Sequence, residues 1–246
     1  MSVLFVLQNN LVDRITGPVA QYCRDNNVDF IDASLAGDFS FDTWEELLNH
    51  PSNHRIPYGS VGWVKRATES NQFKNVNAFN ELFDVYKWLD IFGDDVVNSD
   101  GREHLGSNIH FDHLYHIRPL NEDKAVVGGV YDLEKWQDHI KDRQIENATF
   151  WISPLKTIDA EIRCWIIDGE VVGASFYRKN GEQHRVMVDD LGIIRVAQRF
   201  ASKFETTRPF VMDLAMVDGK WKLMETNPIY ASGWYAMEPE IVLRKL

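Results

Sequence analysis

Two carboxylates and one amide near the end of the chain have the composition of a magnesium site. Asp213 lies in one apolar stretch, and Glu225 and Asn227 lie two residues apart in the next. Because side chains alternate between the two faces of a strand, Glu225 and Asn227 point the same way. Mg²⁺ accepts such oxygen ligands and keeps water and substrate phosphate as its others. Each residue alone is more often a solvated strand or turn residue, but the three together favour a metal site.

The loop between these two stretches decides whether Asp213 joins the other side chains. A three-residue loop, Asp218 to Lys220, would set Asp213 opposite Glu225. A strict two-residue turn would instead pair Asp213 with Met224. The prediction of a metal site assumes the longer loop.

A second group of candidate site residues is basic. Arg118 ends an apolar strand, Lys124 follows six residues later, Arg163 lies inside a strongly apolar strand, and Arg178 ends the next. A lone buried charge is costly, so Arg163 must be paired or hydrogen-bonded. One interpretation is an internal pair with Glu161, which points to the same face. The other is that the four basic residues surround a polyphosphate, and the residues alone leave both open.

The composition of the chain argues against several classes of function. The 246 residues carry 26 Lys and Arg against 37 Asp and Glu, a net charge of -11. A protein that coats nucleic acid needs a basic surplus, so this balance argues against bulk nucleic-acid binding. No apolar run approaches the roughly 20 residues of a membrane span, and no signal peptide is recognisable at the N-terminus. The two cysteines, Cys23 and Cys164, form no disulfide framework, and we expect a cytoplasmic protein.

The elements that would position these residues fall into two patterns. Short apolar runs at 2–7, 28–31 and 55–58 alternate with helical stretches at 17–26 and 41–48, which predicts a small parallel α/β sheet. From about residue 110 the pattern changes to an α+β half. Its predicted strands are 113–118, 148–152, 161–167, 171–177, 210–216 and 221–225, and its predicted helices are 132–143 and 192–204.

Two hairpins are expected in this second half. Asp168-Gly169 and Asp218-Gly219 each separate two predicted strands, and Asp-Gly is a strong hairpin signal. We therefore expect two lobes, at 1–90 and 91–246, and antiparallel hairpins dominate the second.

Taken together, these groups resemble the ATP-grasp superfamily. Asp213 with Glu225-Thr-Asn227 is similar to that superfamily's metal-binding strand pair, and Glu161-Ile-Arg163 to its strand with a phosphate-contacting arginine. More narrowly, several segments resemble the ATP-grasp clade named for two arginines and one lysine. These segments are His116-Ile-Arg-Pro119 with Lys124, Ile152-Ser-Pro-Leu155, Tyr177-Arg178, and Asn227 with Ser232-Gly233-x-Tyr235.

The resemblance implies a fold, ligands and roles. The fold would be α/β and α+β, a small parallel α/β N-terminal lobe followed by an ATP-grasp fold with antiparallel sheets. The ligands would be ATP and Mg²⁺. Arg118 and Lys124 would contact phosphate, and Arg163 and Arg178 would bind the acceptor carboxylate or its phosphate. The implied catalytic residues are Arg163, Arg178 and Lys124, and the implied nucleotide-binding residues are Arg118, Lys124, Trp151, Ile152, Ser153, Leu155, Glu161 and Arg163.

The implied activity is the ATP-dependent ligation of a small-molecule or peptide carboxylate to an amine. Such a C–N ligase passes through an acylphosphate and releases ADP and phosphate. Members of the clade occur in bacteria and phages, and we expect such an origin here. Two alternatives stay open at this point: an ATP-dependent kinase of a small acceptor, and a non-catalytic module that binds ATP.

Overall fold

The chain forms three sheets flanked by seven helices across the residues described by the computed structural model, which are 3–8, 15–33, 40–73, 76, 84–108, 112–120, 128–143 and 145–246. The strands are β1 (Val3–Gln8), β2 (Asp29–Ala33), β3 (His54–Tyr58), β4 (Arg102–Leu105), β5 (Tyr115–Pro119), β6 (Gly129–Tyr131), β7 (Thr149–Pro154), β8 (Ala160–Ile167), β9 (Glu170–Lys179), β10 (Glu182–Met187), β11 (Phe210–Val217) and β12 (Lys220–Pro228). The helices are α1 (Gly17–Asn26), α2 (Glu45–Asn49), α3 (Val61–Glu69), α4 (Val85–Phe92), α5 (Leu133–Arg143), α6 (Leu191–Ala201) and α7 (Pro239–Leu243).

The chain divides into two compact units that do not follow a single cut in the sequence. Unit 1 comprises Met1–Phe83, Ala160–Leu214 and Glu225–Leu246. Unit 2 comprises Asp84–Asp159 and Ala215–Met224. Strands β11 and β12 therefore each begin in one unit and end in the other.

The N-terminal part of unit 1 is the expected parallel α/β arrangement. Strand β1 lies between β2 and β3, and both pairings are parallel. Leu4 to Leu7 of β1 are all buried, as a strand covered on both faces requires. Helix α1 contributes Val19, Ala20 and Cys23, which lie on one face at helical spacing, to the same core.

Strands from the middle and the last third of the chain form a five-stranded sheet, in the order β10-β9-β8-β11-β12. Every residue of β8 is buried. The β8–β9 and β9–β10 pairings are antiparallel. Three tight turns have positive φ at both central residues, as two-residue hairpin turns of the I′ type require. These turns are Asp168-Gly169 (52° and 77°), Asn180-Gly181 (51° and 79°) and Asp218-Gly219 (50° and 72°).

Unit 2 contains a four-stranded sheet in the order β4-β7-β5-β6, with antiparallel pairing throughout. Its core is built around Trp136 of α5 and Phe150 of β7, which meet edge to face with ring centroids 4.8 Å apart. The predicted combination of a parallel N-terminal α/β part and antiparallel sheets is thus confirmed. None of the helices in the described ranges has the length and apolar character needed to cross a membrane.

Candidate functional site

The centre of the candidate site in unit 1 is a buried ion pair between Arg163 and Asp213. Arg163 lies on β8 and Asp213 on β11, and these strands are neighbours in the five-stranded sheet. Arg163 Nε donates to Asp213 Oδ1 at 2.8 Å, and Arg163 Nη2 donates to Asp213 Oδ2 at 2.7 Å. This is the bidentate geometry in which an arginine fork matches a carboxylate. The interpretation that pairs Arg163 with Glu161 is wrong, because Arg163 pairs with Asp213 instead.

Burial and charge both act on the Asp213 carboxyl. Its side chain is 2% exposed. Withdrawal from water raises the pKa of Asp213 to about 6, although the Arg163 guanidinium opposes the rise. The charges of Glu225 and Glu161 raise the pKa of Asp213 further. Three carboxyl groups, those of Asp213, Glu225 and Glu161, therefore interact electrostatically in this part of unit 1.

Glu225 and Asn227 lie together on β12, as the alternation of the strand predicted. Asn227 Nδ2 donates to Glu225 Oε1 at 2.9 Å. The assumed three-residue loop before them is wrong, because the turn consists of Asp218 and Gly219 alone and β12 begins at Lys220. Glu225 nevertheless acts electrostatically on both Asp213 and Arg163.

The donor chemistry of these three residues fits a magnesium ion. Among the described residues no group of three or more His, Cys, Asp or Glu side chains could hold a metal. The set Asp213, Glu225 and Asn227 is of another kind, two carboxylates and an amide. A carboxylate offers about four lone-pair positions, so the two hydrogen bonds from Arg163 leave Asp213 capacity for a further ligand. Oxygen donors of this kind are what Mg²⁺ selects.

Glu161, the other acidic residue of β8, is engaged by the neighbouring strand. It is buried, and it lies directly opposite Arg178 of β9, whose Nη1 is 3.6 Å from Glu161 Oε1. The adjacent Tyr177 is hydrogen-bonded to Glu161, and burial raises the pKa of Tyr177 well above its ordinary value. The predicted residues Glu161 and Arg178 are thus brought together as a pair.

An aromatic residue beside this cluster, Tyr235, contacts the arginine in a way that the sequence did not predict. The guanidinium carbon of Arg163 lies 5.0 Å from the ring centroid of Tyr235. The same ring stacks on Tyr177, with centroids 4.8 Å apart and planes 16° apart. Tyr235 follows Ser232-Gly233 in a segment singled out by its sequence, but no local pattern shows which side chain it meets. The contact depends on the fold, which brings this segment next to Tyr177 of β9 and Arg163 of β8.

Arg118 in unit 2 also lies over an aromatic ring. Its guanidinium carbon is 4.7 Å from the ring centroid of Trp88, a buried residue of α4. In the β5–β7 pairing Arg118 lies opposite Trp151. The sequence correctly predicted that Arg118 lies near the end of a strand. The structure shows in addition that its guanidinium lies over the ring of Trp88.

Four of the implied nucleotide-binding residues, Trp151, Ile152, Ser153 and Leu155, lie on strand β7 or directly after it. Trp151, Ile152 and Ser153 are buried, whereas Leu155 is 42% exposed. Ser153 Oγ is a buried polar atom with no hydrogen-bond partner among the described residues. Lys124 lies outside the described residues.

The fold is that of solved ATP-grasp proteins. The D-alanine–D-alanine ligase from Bacillus anthracis, in complex with ATP, matches with a TM-score of 0.62 and 14% identity, over 100% of this chain and 97% of that one. A RimK-domain ATP-grasp protein from Sphaerobacter thermophilus matches with a TM-score of 0.61 and 12% identity, over 98% and 100%. The ATP-grasp ligase PsnB with its minimal precursor matches with a TM-score of 0.57 and 12% identity, over 99% and 98%.

The sequence itself assigns the family more narrowly. Residues 62–246 match the ATP-grasp domain that forms family 3 of the clade named for two arginines and one lysine, and the chain belongs to that family. The resemblance to this clade is thereby confirmed. Comparison with curated protein sequences gave no match.

Proposed function

We propose that the protein is an ATP- and Mg²⁺-dependent ligase that joins a carboxylate to an amine through an acylphosphate. Membership of the ATP-grasp family supports ATP-dependent chemistry, and the structural neighbours named above include ligases of amino acids and peptides. The observation that carries the proposal is the buried Arg163–Asp213 pair beside Glu225 and Asn227. In the proposal, this guanidinium would bind an anion next to the oxygen donors that would hold the metal.

The proposed reaction has two steps. An oxygen of the substrate carboxylate attacks the γ-phosphorus of ATP, the bond to the β-phosphate oxygen breaks, and ADP leaves. The amine nitrogen then attacks the acyl carbon, phosphate leaves, and the amine loses one proton. Both steps depend mainly on positioning and on the neutralisation of charge.

The proposed roles follow the chemistry of the side chains. Asp213, Glu225 and Asn227 would hold Mg²⁺, which when bound neutralises phosphate charge. Arg163 and Arg178 would bind the acceptor carboxylate or the phosphate transferred to it, since a guanidinium fork fits either oxyanion. Arg163, Arg178 and Lys124 form the proposed catalytic set.

The proposed nucleotide site draws on other elements. Arg118 and Lys124 would contact the phosphates of ATP, and Glu161 would complete the site beside Arg163. The adenine would contact the backbone of Trp151, Ile152, Ser153 and Leu155. The orphaned hydroxyl of Ser153 supports a polar partner in this segment, because a buried hydroxyl without a hydrogen bond is costly.

The proposal also covers the division of the chain into domains and its cellular location. Residues 1–90 would act as the N-terminal lobe and residues 91–246 as the nucleotide-binding region. We place the protein in the cytoplasm of a bacterium or among phage proteins. Two buried free cysteines, Cys23 and Cys164, support a reducing compartment.

The test is ATP turnover with defined pairs of substrates. The protein is incubated with Mg·ATP and a panel of amino acids and short peptides, and ADP is measured with a coupled assay. ADP release that needs both a carboxylate and an amine supports the ligase. Release with one acceptor alone would indicate a kinase, and no release with intact nucleotide binding would indicate a binding module.

The metal assignment has its own test in Glu225→Gln. This change removes one negative charge while the side-chain shape stays, so the affinity for Mg·ATP in calorimetry should fall about tenfold or more. Glu182→Gln on β10 is the matched control, because Glu182 is an exposed strand glutamate outside the site. Equal affinities for the two variants would contradict the metal assignment.

A further inference from the structure

Tyr235 has a backbone conformation that its residue type disfavours. Its φ is +54°, in the left-handed region that suits glycine or asparagine. Such strain in a bulky residue persists only where the surroundings impose it, and it marks functional positions. The two neighbouring residues are anchored: Trp234 Nε1 donates to Ile15 O at 2.9 Å, and the Ala236 amide donates to Ser175 Oγ at 3.2 Å. The chain is therefore fixed on both sides of the strained residue.

The backbone anchored in this way places the Tyr235 ring in contact with two other side chains. One is Tyr177, whose ring is stacked on it and is itself hydrogen-bonded to the buried Glu161. The other is the guanidinium of Arg163. A positive charge near an aromatic ring face is attracted by the ring's quadrupole, and arginine in addition stacks its plane on the ring. The ring is thus held by the sheet and presented to the arginine.

The hydrogen bonds of Arg163 show what this contact can achieve. Nε and Nη2 each donate to Asp213, and Nη1 donates to the carbonyl of Gly233 at 3.4 Å. The described residues thus take three of the five N–H groups that a guanidinium carries. One N–H on each terminal nitrogen is left for an incoming anion. The two short bonds to Asp213 hold one edge of the group, the longer bond to Gly233 holds the other terminal nitrogen, and a neighbouring ring further restrains the tilt of the group.

We propose that Tyr235 is a positioning residue that fixes the orientation of the Arg163 guanidinium. With the guanidinium carbon over the Tyr235 ring and one edge of the group on Asp213, its two remaining N–H groups point in set directions toward an oxyanion. The identity of that oxyanion, the phosphate in transfer or the carboxylate that accepts it, rests on the function proposed above. The placement of the ring and the guanidinium does not depend on it.

Two variants that differ only in the aromatic ring provide the first test. Tyr235→Phe keeps the ring and loses the hydroxyl, whereas Tyr235→Leu keeps apolar bulk and the strained backbone but loses the ring. We expect kcat of Tyr235→Phe within about twofold of the parent protein and kcat of Tyr235→Leu lower by about tenfold, with the KM for ATP changed less than about twofold in both. A loss of activity in Tyr235→Phe would assign the role to the hydroxyl and overturn the inference.

A spectroscopic measurement tests the placement without any turnover. The Nε–H resonance of Arg163 is assigned by its disappearance in Arg163→Lys. In the parent protein and in Tyr235→Phe this proton should show the upfield shift of a group above an aromatic ring, and in Tyr235→Leu the shift should be lost. An unchanged resonance in Tyr235→Leu would refute the contact. Should Tyr235→Leu fail to fold, Tyr235→Gly takes its place, because glycine accepts positive φ and also lacks the ring.

The two proposals fail in different ways. If the parent protein turns over ATP with no carboxylate and amine pair, the proposed function fails, and the Nε–H resonance still decides the role of Tyr235. If the parent protein is active and Tyr235→Leu matches it in kcat and in the resonance, only the inference about Tyr235 fails.

Discussion

The buried pair of Arg163 and Asp213 predicts a large loss of stability when one partner is removed. Arg163→Met leaves Asp213, which is 2% exposed, without its opposing charge. Breaking a buried ion pair in this way costs about 3–5 kcal/mol. In a chain of this length each kcal/mol lowers Tm by about 2–4 °C, so the variant should melt about 6–20 °C below the parent protein. Thermal unfolding followed by circular dichroism measures the difference.

A change of both partners separates the charge effect from simple loss of packing. Replacing a buried pair by apolar residues is often neutral, so Arg163→Met with Asp213→Leu should recover most of the lost stability. Arg244→Met is the matched control: its side chain is 63% exposed, its partner Glu240 is 49% exposed, and its loss should cost less than about 1 kcal/mol. The reasoning is refuted if Arg163→Met alone costs no more than this control.

The cost of Arg163→Met should also depend on pH, with a definite sign. In the parent protein the pKa of Asp213 is raised to about 6 even though Arg163 opposes the rise, so the variant should have a still higher pKa. A carboxyl whose pKa is higher in the folded state than in the unfolded state binds more protons when folded. Folding stability therefore falls as pH rises between the two pKa values. The penalty of the variant should be larger at pH 8 than at pH 5, and an equal penalty at both would contradict a charged Asp213.

Two further predictions concern other residues of unit 1. Cys23 and Cys164 are fully buried and burial raises the pKa of Cys23 to about 12, so neither thiol should react with a disulfide reagent at pH 8 until guanidinium chloride unfolds the chain. Gly59→Ala should destabilise the protein by about 1–3 kcal/mol in thermal unfolding, because overpacking a filled site is costly. A Cβ there would lie 2.7 Å from Gln8 Oε1, whereas the control Gly62→Ala has open space and should be neutral or stabilising.

The sequence identified the apolar strands well and the polar ones poorly. β1 and β8 are continuous apolar runs, and their prediction needed only a local pattern. β10 was missed because it is a polar strand at the edge of its sheet, with most of its residues exposed. Its one available signal was the Asn180-Gly181 turn before it. β4 gave no signal, since all four of its residues are exposed.

The partners within the candidate site could not be predicted from local patterns. Arg163 and Asp213 are separated by 50 residues, and their contact depends on β8 lying beside β11. Glu161 looked like the natural partner because it is close in sequence and on the same face. The structure pairs Glu161 with Arg178 instead, directly across the β8–β9 ladder. Residue types indicated which groups carry the chemistry, and strand order decided which of them meet.

Arg118 and Arg163 share one local arrangement, although they belong to different units. Arg118 lies over Trp88 within unit 2, and Arg163 lies over Tyr235 within unit 1. An aromatic ring attracts and restrains the guanidinium that lies over it, and arginine loses less side-chain entropy per hydrogen bond than lysine does. Each unit therefore orients its own cation before any ligand is bound. For the proposed transfer of a phosphoryl group, where positioning supplies most of the rate, such orientation lowers the entropic cost of positioning each cation.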